Sequence, residues 1–226
     1  MNAIVTRYDE NIKDYTKFTL PTIEAYAKKL KVEIIVLNEE PLLLTADLQK
    51  HYRVLEIKKI LESVDRVLML DADILIRPDC PNLFDLIPED KVGSVKENVG
   101  SRKDTRNNLI DVVQQLWGNV GWDYYTNAGV FMLSAQHKNI FDPHKGEYWC
   151  QFGNGDVHMG YNVAKYKHEV YELPFQLNHM TPWSDEWNGY ANRFDSHIIH
   201  YAGEGVFDRE HKNKVEQIKS DYESIF

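Results

Sequence analysis

The chain has no apolar run long enough to span a bilayer; its longest, such as Val67 to Leu70 and Ile34 to Leu37, are of strand length. It also lacks a cluster of lysines and arginines, and its formal net charge of -9 repels nucleic acid and anionic lipid alike. Neither a membrane span nor a nucleic-acid partner is therefore expected. Glycine is missing where a phosphate-cradling loop needs it: Thr6-Arg7-Tyr8-Asp9 follows the first apolar segment, which argues against a sugar nucleotidyltransferase. Repeats, low-complexity tracts and Gly/Ser linkers are absent too, so one domain is the default for 226 residues. Met1 to Arg7 lacks the basic, apolar and small-residue succession of a secretory signal, so the expected setting is cytoplasmic. There the two cysteines, Cys80 and Cys150, are expected to stay free thiols. No feature points to an obligate protein partner.

What is present alternates between strand and helix. Asn2 to Thr6 reads as a strand, and Tyr15, Phe18, Thr22, Tyr26 and Leu30 form one stripe of a helix over 12–30, with Pro21 inside it expected to kink or interrupt it. Val32 to Leu37 is a second strand, and Val54, Ile57, Leu61 and Val64 stand at helical spacing near 47–63. Arg66 to Leu70 follows as an uninterrupted apolar strand, which implies cover on both faces and a central place in a parallel sheet. Residues 97–123 are a polar excursion with a helical piece around Leu109 to Trp117, an expected lid. Ala128 to Leu133 and Glu169 to Leu173 read as further strands, Asp156 to Lys167 as a helix, His197 to Tyr201 as a short strand, and Asp208 to Tyr222 as a charged terminal helix.

Asp71-Ala72-Asp73 stops the central strand abruptly. Carboxylates at i and i+2 project to the same side of an extended backbone and can converge on one hard cation. An isolated Asp-x-Asp is more often a cap or a solvated loop edge. Here the pair lies between Val67 to Leu70 and Ile74 to Ile76, apolar segments with no use for bare charge, and at the carboxyl end of a strand, where open α/β sheets place ligands.

Arg66 to Ile76 resembles the Asp-x-Asp region of GT-A glycosyltransferases, in particular the family 8-like group that includes glycogenin and bacterial galactosyltransferases. Further along, Asn127-Ala128-Gly129 and the strand to Leu133 resemble the strand that lies against the donor sugar in that family. Leu173-Pro174-Phe175 with Asn178 resembles its Leu-Pro…Asn element, and Ile198-Ile199-His200-Tyr201-Ala202-Gly203 its late metal-binding histidine element. The order and spacing fit over roughly residues 1–205. The resemblance implies an α/β class: a GT-A (Rossmann-like), mixed but mainly parallel central sheet flanked by helices, in a single domain over 1–226. Its nucleotide-binding half would cover about 1–96, its acceptor and sugar half about 97–205, and a C-terminal helix about 208–226.

Roles follow from the same resemblance. Asp71, Asp73 and His200 would hold the metal, Mn²⁺ or Mg²⁺, and Asp71 would also approach the ribose of a UDP-sugar donor. Thr6, Arg7, Tyr8, Lys13, Lys58, Ala72 and Gly203 are the remaining expected donor-binding positions; Asn127 and Asp156, with Gln176 nearby, would face the sugar. His200 taken alone reads as a satisfied buried histidine, and Tyr8 either stacks on a base or edges a turn. Arg53 shares the helix of Lys58, and which of the two points inward is open. Two departures stand out: the acidic segment around Asp156 lacks the Gln and one acid of the family, and the phosphate-binding lysine would fall near Val206, leaving Lys212 or none. Trp183, Trp187 and Tyr190 are either an acceptor platform or core. The expected activity is transfer of a sugar to a hydroxyl of a glycan or protein-linked glycan, with retention of configuration. A non-catalytic nucleotide-sugar or glycan binder is the alternative; a haloacid-dehalogenase-type phosphatase fits less, since two βα units precede the Asp pair and Ile74 follows it.

Overall fold

Every residue of β3 (Arg66–Leu70) and of β6 (Val130–Ser134) is buried, as a strand covered on both faces requires. The structure is a computed structural model that describes residues 1–8, 10–38, 52–181, 191–203, 205–207 and 211–226, without the side chains of 52–55. Period-two alternation sends the β3 side chains to opposite sides. Leu68 and Leu70 join Ile4, Val130 and Met132 beneath Ile23, Tyr26 and Ala27 of α1 (Lys13–Leu30). Val67 and Met69 join Ala3, Val5, Phe131 and Leu133, under Ile57 of α2 (Tyr52–Ile60) and Met159 and Val163 of α5 (Asn154–Lys165). Full burial of one such side chain contributes about 1.5–3 kcal/mol, so the sheet with its two helical covers carries most of the fold.

The remaining elements are β1 (Asn2–Arg7), β2 (Glu33–Leu37), β4 (Ile74–Ile76), α3 (Leu83–Leu86), β5 (Val92–Ser94), α4 (Lys103–Trp117), β7 (Val170–Glu172), β8 (His179–Met180), β9 (Ile198–His200) and α6 (Lys214–Ile225). The main sheet has the order β2-β1-β3-β6-β5-β7. It is parallel except where β6 runs antiparallel to β3 and β5. A second sheet, β4-β9-β8, stands beside the end of β3. Its register pairs Ile74 with His200, so the histidine arrives next to the Asp pair although it stands 126 positions beyond Ile74.

Several expectations shift. The first helix runs unbroken through Pro21. Within the 97–123 excursion the helix is longer than expected, beginning at Lys103, and it builds a core of its own: Ile110 and Val113 pack with Trp122, Tyr125 and Tyr161. The terminal helix begins at Lys214, because the Asn213 side chain accepts from the N–H groups of Val215 and Glu216 and caps it. The 208–210 part of the expected helix, the 47–51 part of the second helix and the aromatic group Trp183, Trp187 and Tyr190 lie outside the described residues.

Helix α6 is seated by a buried carboxylate. Asp221 accepts from Arg193 Nε at 2.7 Å and Nη2 at 2.8 Å, and from the Tyr201 hydroxyl at 2.8 Å. Ile218 adds apolar contact with Leu75, Ile199 and Tyr201. Cys80 is buried and Cys150 exposed, both free; burial pushes the Cys80 thiol up to about 12, far from a reactive thiolate. Among the described residues no helix is long and apolar enough to cross a membrane.

Candidate active site

The Asp-Ala-Asp turn is clamped through its backbone. Asp71 N–H donates to the Gly129 carbonyl at 2.9 Å, Thr19 Oγ1 donates to the Ala72 carbonyl at 2.5 Å, and Tyr201 N–H donates to the Asp73 carbonyl at 3.0 Å. With the main chain held on three sides, both carboxylates turn toward His200, whose Nε2 lies 3.5 Å from Asp71 Oδ2 and 3.5 Å from Asp73 Oδ1. One ligand atom from each of the three residues falls within 4.8 Å of the others. The imidazole rests on Gly129, where an added Cβ would come within 2.2 Å of Cε1 and 2.7 Å of Nδ1. Only glycine leaves room for the ring.

Charge at this point is concentrated and largely dry. Burial alone would lower the His200 pKa, but hydrogen bonds and charge from Asp71 and Asp73 outweigh it and raise it to about 9. Burial would raise Asp73, but His200 and Lys214 hold its carboxyl well below the usual range. His200 and Lys214 both face the two carboxylates. Two carboxylates and one imidazole form a mostly hard donor set suited to a divalent ion such as Mn²⁺ or Mg²⁺. The residues fit such an ion.

Lys214 was not among the expected residues. It lies eight positions beyond Val206 and two beyond Lys212, yet its Nζ stands 2.7 Å from Asp73 Oδ2. Its stem crosses Gly205 (φ +71°), where a Cβ would meet Lys214 Cε at 2.4 Å. Gly203, also left-handed at φ +64°, belongs to the same turn after β9. Lys212 instead uses its backbone N–H to bond Glu216 at the start of α6. The sequence carries no local signal for it beyond the Asn213 cap, one residue earlier, which starts α6.

The other expected residues divide into two groups. Thr6 is buried at the end of β1, and with Arg7 it borders a small cavity of about 10 Å³, room for one water, whose other walls are Val5, Leu37, Ile57, Met69 and Leu70. Tyr8 N–H bonds the Leu37 carbonyl at the rim of that strand pair. Asn127 is buried, and Asp156, in the first turn of α5, accepts from the Ala128 N–H at 3.3 Å and the Tyr125 hydroxyl at 3.5 Å. Lys13 is exposed and bonded to Glu10 at 2.9 Å, and Lys58 is engaged by Asp142 at 2.6 Å. Neither lysine is among the groups that meet at Asp71 and Asp73.

No protein-family model and no curated protein sequence matches the chain. Solved structures do. A glycosyltransferase involved in glycosylation of the major capsid of PBCV-1 superposes with a TM-score of 0.65 at 14% identity, covering 99% of both chains. The galactosyltransferase LgtC, solved with donor and acceptor sugar analogues, gives 0.60 at 16% identity over 99% of this chain and 96% of its own. The fold is GT-A. The glycosyltransferase GlyE of Streptococcus pneumoniae TIGR4 shares it as well, at a TM-score of 0.55 and 13% identity over 97% of this chain and 59% of its own. The α/β class expected from the sequence is therefore met: a mainly parallel sheet in one GT-A domain, with the Asp pair at the end of its central strand.

Proposed function

We propose that the protein is a metal-dependent glycosyltransferase that moves a sugar from a UDP-sugar to a hydroxyl group of a glycan or protein-linked glycan, with retention of configuration. The observation that carries this reading is the convergence of Asp71 and Asp73, from the turn between β3 and β4, with His200, from β9, on one point at the carboxyl end of the central strand. Its supports are the GT-A fold and the ammonium of Lys214 at the Asp pair.

In this reading about 1–96 receives the nucleotide and about 97–205 the sugar and acceptor. Thr6, Arg7 and Tyr8 border the base; Ala72 and Gly203 flank the diphosphate. A divalent ion held by Asp71, Asp73 and His200 supplies Lewis-acid stabilisation of charge on the departing diphosphate. Lys214, at the start of α6 and beside Asp73, would add positive charge where negative charge grows. Asn127 and Asp156 orient sugar hydroxyls. The bond between the anomeric carbon and the diphosphate oxygen breaks, a bond to the acceptor oxygen forms, and the acceptor proton leaves with UDP. Lys214, in place of Lys212, supplies the phosphate-side lysine, and Lys13 and Lys58 remain further donor-binding positions.

The test is UDP release from a panel of UDP-sugars with Mn²⁺, with and without EDTA, using simple glycosides as acceptors. Metal-dependent release supports the reading. Tight UDP-sugar binding without turnover under all these conditions would replace it by the non-catalytic binder.

A further inference from the structure

Behind His200 a buried chain of polar side chains runs away from the Asp pair. His200 Nδ1 lies 2.8 Å from Asn178 Oδ1, Asn178 Nδ2 donates to Asn127 Oδ1 at 2.9 Å, and Asn127 Nδ2 donates to Glu97 Oε1 at 2.6 Å. Glu97 is closed off by two guanidinium groups, Arg106 Nε at 2.8 Å and Arg102 Nη1 at 3.0 Å from its Oε2. Asn178 and Glu97 are 0% and 1% exposed, so water is poorly placed to substitute for any link.

The direction of each bond is forced. An ionised carboxylate only accepts, so Asn127 must turn its NH₂ toward Glu97. The Gly129 N–H, 2.8 Å from Asn127 Oδ1, demands the same orientation, because a flipped amide would set donor against donor there and acceptor against acceptor at Glu97. Asn127 Oδ1 then faces Asn178, which must answer with its own NH₂ and so presents its carbonyl to His200. A carbonyl accepts only, so the proton on that side of the ring sits on Nδ1.

We propose that Asn178 is a positioning residue for the cation site, its amide set through Asn127 by Glu97, so that His200 is held as the Nδ1–H ring with Nε2 directed at Asp71 and Asp73. The inference rests on the reading of those three residues as a divalent-cation site. It assigns a task to Glu97, Arg102 and Arg106, which do not touch the cation ligands. Asn127, expected only as a sugar contact, becomes the junction between the sugar side and the metal side. Loss of the partner behind a metal-bound histidine typically costs about 10–100-fold in metal affinity.

The experiment uses Mn²⁺ with UDP and two near-isosteric variants, Asn178→Leu and Asn178→Asp, with His200→Ala as the baseline without an imidazole. Mn²⁺ affinity is titrated by EPR, and pulsed EPR reads the coupling of a bound imidazole nitrogen to the ion. Wild type should show that coupling. Asn178→Leu, which cannot accept from Nδ1–H, should lose or blur it and bind Mn²⁺ about 10–100-fold more weakly. Asn178→Asp, as the neutral acid in this buried position, still accepts from Nδ1–H through its carbonyl and donates its O–H to Asn127 Oδ1, so it should keep the coupling, a rescue that a purely packing role does not produce. A folded Asn178→Leu with wild-type coupling and affinity within about twofold overturns the inference, as does a folded Asn178→Asp without coupling; the second variant decides alone if the first does not fold. A wild-type spectrum without nitrogen coupling removes the cation-site reading and the inference with it.

Discussion

The two ends of the buried polar chain use the same chemical group in opposite ways. At one end Asp71 and Asp73 outnumber their nearest fixed cation, Lys214, and lean on His200. At the other, the single carboxylate of Glu97 is outnumbered by Arg102 and Arg106 and donated to by Asn127. An acid-rich end accepts an incoming cation; a saturated carboxylate can only hold its neighbours in place. Carboxylate identity therefore says little about role, and the balance of fixed charge around it says most.

The largest effect should come from breaking the saturated end. Glu97→Ala leaves two desolvated guanidiniums without their acceptor and should cost about 3–5 kcal/mol of folding stability, read by urea unfolding. Asp73→Asn addresses the open end; because His200 and Lys214 hold Asp73 ionised it should cost some folding stability, less than Glu97→Ala, while lowering turnover about 10²–10³-fold in the UDP-release assay. A stability loss as large as that of Glu97→Ala would erase the contrast between the two ends. Gly129→Ala sits between them: its Cβ drives into the His200 ring, and about 1–3 kcal/mol of stability should go together with weakened Mn²⁺ binding. The smallest effect sharpens the comparison by its sign. Lys214→Met should weaken UDP-sugar binding about tenfold, through loss of a charge-assisted contact, while Mn²⁺ alone binds no worse because its competitor on Asp73 is gone. Weaker binding of both would show that Lys214 shapes the site instead of sharing it.

Much of this was legible before any coordinates. An apolar strand that stops at Asp-Ala-Asp announces a buried centre with a charged tip, and β3 is buried throughout as that pattern requires. The Asn127, Asn178 and His200 elements were recognisable from local sequence. Lys214 was not, because the chain after β9 passes through glycine turns whose path no local pattern encodes, and only the docking of α6 by Asp221 sets which lysine reaches Asp73. The partner of Lys58 was hidden for the same reason: Asp142, 84 positions away, meets its ammonium only in the folded chain.

What the sequence determined by itself was the sheet order's starting logic and the chemical kind of centre, since hydrophobic period and the cost of burying bare carboxylates are local physics. What only tertiary structure decided was partnership: Ile74 against His200, Lys214 over Gly205, Glu97 between two arginines. Such meetings depend on strand register and helix docking across long stretches of chain, where a displacement of one residue would send each side chain elsewhere.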